Sequence, residues 1–260
     1  MVKYLFFDID GTLVSFNTHK IPKSTVDALT QAKANGLKVY ISTGRPMLFI
    51  NNLGQIEHLI DGYITTTGAL CVVGQTRFNC HRISATSVRR ILDGANKFHK
   101  AADVVGTDHI GVVNDSEELT KQFKVGLNLD FDFAPMSVVM KEPILQISVF
   151  FNAEEEKDIM DGISDCVSSR WHPSFTDITN VSADKGKALL AMAEHEHMRI
   201  DETMAFGDGG NDMPIIKQAG IGVAMGNASD EVKAVADYVT TSVDDDGVLN
   251  ALLLFGVISR

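Results

Sequence analysis

Cysteine is scarce in this chain of 260 residues: Cys71, Cys80 and Cys166 are the only three. An odd number without a CxxC pair excludes a disulfide framework or a zinc knuckle and fits a reducing compartment. Basic charge is also short, 23 Lys and Arg against 34 Asp and Glu for a net −11. With no Lys/Arg cluster, nucleic acid and anionic membrane surfaces are excluded as partners. A small anionic ligand then has to be held by local donors. Long apolar runs are missing too: none approaches the ~18 residues that span a bilayer. The first residues show no basic region followed by a longer apolar segment, so an unexported, cytoplasmic protein is expected. Internal repeats and low-complexity linkers are likewise not seen.

What is present is 45% apolar content, ample for one large α/β domain or two smaller ones. Val2–Phe7 is a short continuous apolar run, the pattern of a strand buried on both faces of a parallel sheet. A helix capped by Ser24 is expected to run to about Asn35 and stop at Gly36, with a strand over Leu37–Ser42. Pro46 suits the first position of another helix. Tyr63–Thr66 reads as a third strand, and Gly74-Gln75 as the turn of a hairpin between Leu70–Val73 and Arg77–Ile83. From about Ser84 the rhythm changes. A helix, strands at Ala102–Val105 and His109–Val113, a helix from Asp115, a strand at Ile144–Phe151, a further helix and extended pieces near Trp171 and Thr176 follow. After Ala183 the alternation returns: helix Lys187–His197, strand Thr203–Gly207, helix Met213–Ala219, strand Ile221–Ala224, helix Asp230–Ala236 and strand Tyr238–Thr240. The economical reading is a doubly wound parallel-sheet, Rossmann-like α/β core, residues 1–82 and 183–260, interrupted by an inserted α+β domain, residues 83–182.

Chemistry concentrates where strands of the core run out, the place where ligands bind in open parallel sheets. Asp8 and Asp10 end the first apolar run and are followed by Gly11 and Thr12. About two hundred residues later, Phe206 and Gly207 lead into Asp208, Asn211 and Asp212. Carboxylates gathered at strand ends cost solvation unless a cation sits between them, and a divalent metal is the simplest one. Thr43 and Gly44 close the second strand, offering a hydroxyl and a backbone N–H at an expected helix start, a ready anion site. Lys185 and Lys187 flank Gly186 at the start of a helix.

These four segments, DIDGTL (8–13), STGR (42–45), DKGK (184–187) and GDGGND (207–212), resemble the four ordered motifs of the haloacid dehalogenase superfamily. Their spacing and large middle insertion are similar to its Cof-type sugar-phosphatase branch. The resemblance implies a phosphatase acting on small phosphorylated metabolites, hexose phosphates foremost, with pyridoxal phosphate and flavin mononucleotide left open. It implies Asp8 as nucleophile and Asp10 as general acid and base. Mg²⁺ would be held by the side chains of Asp8 and Asp208 and the backbone oxygen of Asp10. Thr43, Gly44, a lysine and Asn211 would meet the phosphate. The family's Lys-Gly pair matches Lys185-Gly186, yet DKGK leaves Lys187 open; Asp212 would orient the lysine. Family members often carry Asn-Gly after the third strand, where this chain has Thr67-Gly68. A phosphomutase and a non-enzymatic phospho-acceptor or sugar-phosphate sensor are the rivals.

Other features have plainer readings. Arg45 is a phosphate ligand or a surface residue at a helix start. His195 and His197 point to different helix faces, which argues against a metal pair. Asp244–Asp246 reads as a solvated turn capping the last helix, and the cysteines as small core residues. In the insertion, Trp171, His172, Asp177 and Asn180 are candidates for reading a polar substrate if that domain acts as a lid. A monomer or weak homo-oligomer is expected.

Overall fold

The computed structural model describes residues 1–117, 119 and 132–259, apart from the side chains of Trp171 and His172. The helix expected from Asp115 falls largely on residues outside this description. The chain divides into two compact units.

The first unit comprises Met1–Arg45, Ile50–Asn79 and Asp184–Arg260. Its strands are β1 (Tyr4–Phe7), β2 (Lys38–Ser42), β3 (Ile60–Thr65), β4 (Leu70–Val73), β5 (Thr76–Phe78), β11 (Thr203–Gly207), β12 (Ile221–Ala224) and β13 (Tyr238–Val239). They form one sheet in the order β13-β12-β11-β1-β2-β3-β4-β5. From β13 to β3 neighbours pair in parallel; β3, β4 and β5 close the other end as an antiparallel meander. The apolar run at the amino end explains why β1 lies in the middle. Leu5 and Phe7 enter one core with Ala28 and Leu29 of α1 (Lys23–Ala34) and Val248 and Leu252 of α8 (Gly247–Leu254). Phe6 points the other way, onto Ala188, Leu189 and Met192 of α5 (Lys185–His195) and Ile215 of α6 (Met213–Gln218). A strand with no polar side on either face needs helices on both. From β1 the chain winds outward through β2 and β3, and later through β11 and β12 on the other side. The β1/β11 junction is therefore the switch point of a doubly wound sheet.

The second unit comprises Pro46–Phe49 and Cys80–Ala183. Its strands are β6 (Ala102–Val105), β7 (Ile110–Val113), β8 (Gln146–Val149), β9 (Cys166–His172) and β10 (Phe175–Asn180), all antiparallel in the order β7-β6-β8-β10-β9. One face carries Val104, Ile147, Val149 and Ile178 against Val88 and Ile91 of α2 (Ala85–Lys97) and Ile159 of α4 (Ala153–Met160). The other face carries a polar row, because Asp103 on β6 and Asp177 on β10 both register with Ser148 on β8. Asp103 is 4% exposed, and its Oδ2 is buried without a hydrogen-bond partner among the described residues. Burial pushes its carboxyl well above the usual carboxylate range, and the charge of Asp177 adds to the rise.

Three local expectations are corrected. The helix after Pro46 is a single 3₁₀ turn, Met47–Phe49, so no α-helix amino terminus stands behind Thr43 and Gly44. Helix α1 begins at Lys23, one residue before Ser24, with Pro22 in extended backbone at the capping position and no side-chain cap. Asp246 precedes α8 in the left-handed region at φ 59° and makes no side-chain cap, while Asp244 accepts from Asn17 Nδ2 at 2.6 Å. Of the cysteines, Cys71 and Cys166 are buried and Cys80 is exposed.

Candidate active site

Parallel pairing of β1 with β11 and β2 sets Phe7 beside Phe206 and Ile41, so the residues that follow these strands emerge together. The Asp8 N–H donates to the Phe206 carbonyl at 3.1 Å, and carboxylate oxygens of Asp8, Asp208 and Asp212 lie within 4.8 Å of one another. Gly11 makes this possible. Its φ is +88°, and a Cβ there would stand 2.2 Å from Asp208 Oδ2, so any side chain would expel the carboxylate.

Lys185 opens α5 and is fully buried. Its ammonium donates to Asp8 Oδ1 at 2.8 Å and to Asp212 Oδ1 at 2.5 Å. Lys187 lies exposed on the outside of the helix, where its backbone N–H meets the capping carboxylate of Asp184 at 2.8 Å. Of the two lysines in the DKGK segment, Lys185 is the one whose ammonium enters this cluster. The other oxygen of Asp212 accepts from the backbone N–H groups of Asp208 and Gly209 at 3.0 and 2.9 Å. Asp212 is thus spent on orienting Lys185 and shaping the 207–212 turn.

Two further residues hold Asp208, and neither was singled out from sequence for this. Thr12 Oγ1 donates to Asp208 Oδ1 at 2.8 Å. Asn227 Nδ2 donates to the Gly11 carbonyl at 2.9 Å and to Asp208 Oδ2 at 3.3 Å, while its Oδ1 accepts from the Val243 N–H at 3.0 Å. One amide thereby ties together loops 216 and 16 residues away in sequence.

On the β2 side, Thr43 is buried and its hydroxyl accepts from the Arg45 N–H at 3.0 Å. A Cβ on Gly44 would stand 3.2 Å from Asn211 Nδ2 and 3.6 Å from Thr67 Oγ1, so these two polar tips flank the Gly44 backbone. Thr66, Thr67 and Gly68 have φ of 52°, 55° and 94°. Left-handed backbone costs a β-branched residue about 1–3 kcal/mol, and the hydroxyl of Thr66 is buried without a partner among the described residues. Two hydrogen bonds offset the strain: Thr66 N–H to the Arg45 carbonyl at 3.0 Å and Thr67 N–H to the Thr43 carbonyl at 3.1 Å. The strained pair clasps the 43–45 turn. The Arg45 guanidinium in turn reaches Asp10, with Nε to Oδ2 at 2.7 Å and Nη2 to Oδ1 at 2.8 Å.

The electrostatics fit a divalent cation. Among the described residues Asp8, Asp10 and Asp212 are ion-paired with two cations, Lys185 and Arg45, so with Asp208 the cluster carries four carboxylates against two positive charges. Burial pushes the Asp8 carboxyl up to about 8, the charge of Asp212 adding to the rise and Lys185 opposing it. Burial likewise raises Asp208 to about 6, against the hydrogen bond from Thr12. Burial alone would lower Lys185, but Asp212 and Asp8 outweigh it and hold the ammonium firmly charged. An all-oxygen donor set with two excess charges suits Mg²⁺.

Of the candidates in the inserted unit, Asn180 is used locally: Nδ2 donates to the Arg82 carbonyl and Oδ1 accepts from the Ser182 N–H, both at 2.8 Å. Asp177 stands in the polar row of β10 opposite Ser148 and Ser169. The side chains of Trp171 and His172 are not described.

The sequence profile of the haloacid dehalogenase-like hydrolases matches residues 5–252. The chain belongs to that family. The haloacid dehalogenase-like fold recurs with high similarity in solved structures. The sugar phosphatase BT4131, of subclass IIB of the superfamily, is 41% identical over 99% of this chain and 100% of its own, with a TM-score of 0.89. The phosphatase BT1666 of Bacteroides thetaiotaomicron is 35% identical over 99% and 96% of the two chains, with a TM-score of 0.86. A curated relative, the 5-amino-6-(5-phospho-D-ribitylamino)uracil phosphatase YcsE of Bacillus subtilis (strain 168), is 26% identical over 96% of this chain and 94% of its own.

Proposed function

We propose that this haloacid dehalogenase-like hydrolase is a Mg²⁺-dependent phosphomonoesterase of small phosphorylated metabolites, with hexose phosphates as its favoured substrates. The observation that carries the reading is the placement of Asp8: one oxygen on the buried Lys185 ammonium, neighbours Asp208 and Asp212 within 4.8 Å, and Asp10 two residues on. Asp8 and Asp208 through their carboxylates, and Asp10 through its backbone oxygen, would hold Mg²⁺, which supplies charge neutralisation between the nucleophile and the phosphate dianion. Thr43, Gly44 and Asn211 bind the remaining phosphate oxygens, and Lys185 offsets charge at the attacked phosphorus. An oxygen of Asp8 attacks phosphorus as the bond to the ester oxygen breaks, and Asp10 gives its proton to the departing alkoxide. Asp10, now a carboxylate, takes a proton from water. The water oxygen attacks the aspartyl phosphate, the bond to Asp8 breaks, and phosphate leaves. Acid–base help of this kind is worth about 10²- to 10⁴-fold.

The substrate class is supported by the two relatives whose names carry a polyol: BT4131 is a sugar phosphatase, and YcsE acts on a phosphoribityl compound. The test is phosphate release across sugar, nucleotide, pyridoxal and flavin phosphates, with Mg²⁺ and with EDTA. Hexose phosphates should lead the panel and EDTA should abolish turnover. Undiminished release in EDTA, or preference for pyridoxal phosphate or flavin mononucleotide, contradicts the reading. Free sugar phosphate isomerised without phosphate release points to a mutase instead.

A further inference from the structure

We propose that Arg45 is a positioning residue for Asp10, fixing the carboxyl group that serves the leaving group and the attacking water; this rests on the reading of Asp10 as general acid and base. A residue at this place invites assignment as a phosphate ligand, but its guanidinium is engaged elsewhere. Nε and Nη2 meet the two oxygens of one carboxylate at 2.7 and 2.8 Å. A fork of this kind fixes the plane of the carboxyl as well as its position, which a point-like ammonium cannot do.

The base from which Arg45 reaches is itself held. Its N–H is bound to Thr43 Oγ1, its carbonyl accepts from Thr66, and the Thr43 carbonyl accepts from Thr67. Two consecutive threonines are kept in left-handed backbone to make those last two bonds. Strain at a site persists where the surroundings over-determine it, and here it secures the turn that aims the guanidinium. The backbone around Asp10 is pinned, with Gly11 N–H on the Val14 carbonyl at 2.9 Å and Val14 N–H on the Ile9 carbonyl at 2.7 Å, but its carboxyl, a third of it exposed, is held among the described residues by Arg45. Asp10 lies 35 residues from Arg45 in sequence, and the parallel β1/β2 pairing brings the two together.

The experiment compares Arg45→Gln and Arg45→Lys with Asp10→Asn on an alkyl phosphate and on an aryl phosphate with a good leaving group, all with saturating Mg²⁺. An acid is needed for the alkoxide and little needed for the phenolate. Arg45→Gln should lower kcat/KM on the alkyl ester about 10²-fold, the size of loss that misplacement of a catalytic group brings. It should lose no more than Asp10→Asn does, and it should leave kcat/KM for the aryl ester, which reports transfer to Asp8 and not the later attack of water, within a few-fold. In the Asp10→Asn background, adding Arg45→Gln should slow the alkyl ester no further. Arg45→Lys should recover little, since it restores charge without the fork. Should Arg45→Gln fold poorly, Arg45→Lys carries the same comparison, with unchanged melting temperature as the control. Equal losses on both esters with a raised KM assign Arg45 to the phosphate and overturn the proposal, as does full activity of both variants. If Asp10→Asn itself makes no distinction between the esters, the acid–base reading fails first, and the proposal with it.

Discussion

Replacing Lys185 by Met tests whether the cluster at the end of β1 is held together by one buried ammonium. The ammonium is fully buried and shared by Asp8 at 2.8 Å and Asp212 at 2.5 Å. Methionine fills much of the same volume, so the loss is electrostatic, not a cavity. Breaking a buried pair by removing one partner costs about 3–5 kcal/mol, because the other charge remains buried without compensation. Here two carboxylates are left, so the upper end of that range is expected near pH 8. The sign with pH follows from the acids. Asp8 already has a folded-state pKa raised to about 8, far above the ~3.9 of an unfolded aspartate. An acid raised on folding holds its proton more tightly in the native state, so stability falls as pH climbs from about 4 toward the raised value. Without Lys185 the rise is larger and the fall longer. Lys185 itself is raised in the fold, so its contribution is complete below about pH 10 and the wild type does not lose it in this window. Urea unfolding followed by far-UV circular dichroism in EDTA, at pH 5 and pH 8, should show a deficit that is larger at pH 8. A deficit independent of pH, or a variant as stable as wild type at pH 8, refutes the account.

Two more substitutions probe other parts of the molecule. Asp103 in the inserted unit is raised by burial and by the charge of Asp177, so the same sign applies. Asp103→Asn should flatten the decline of melting temperature between pH 4 and 8 and leave the variant the more stable at pH 8; an unchanged slope contradicts this. Asn227→Ala removes the amide that donates to Asp208 and to the Gly11 carbonyl. Apparent Mg²⁺ affinity, read from Mg²⁺-induced thermal shift, should fall about 10- to 100-fold, as for the groups that orient metal ligands in other sites. Equal shifts in variant and wild type would remove Asn227 from that role.

Much of the fold was legible because its signals are local. The runs Thr203–Gly207 and Ile221–Ala224 are strands with those bounds, since continuous β-rich apolar segments closed by glycine or alanine admit few other readings. Gly36 ends α1 with φ of +83°, as a glycine after a helix does. The helix expected after Pro46 failed because proline at a first position permits a helix without supplying the apolar periodicity to continue one. Asp246 failed as a cap for a related reason: an acidic residue before a helix caps it only if its backbone is extended, and this one is left-handed. At the site, strand-end carboxylates and the Lys-Gly pair carry recognisable spacing. Thr12 does not stand out within DIDGTL, and Asn227 binds partners 216 and 16 residues away, a relation no periodicity records. The Arg45–Asp10 pair is hidden in the same way, since it depends on strand order and on a strained threonine turn that the sequence does not announce.

The central claim is that Asp8 carries the phosphoryl group. Its most direct test is acid quench of the Asp10→Asn variant during turnover of an aryl phosphate, whose leaving group needs little acid while the attacking water lacks its base, followed by borohydride reduction and peptide mass spectrometry. An aspartyl phosphate is reduced to homoserine, whereas a free carboxylate is untouched. The account predicts reduction at position 8 alone, dependent on substrate and Mg²⁺. Turnover that continues with position 8 unmodified at every quench time, or modification at Asp208 or Asp212 instead, contradicts it.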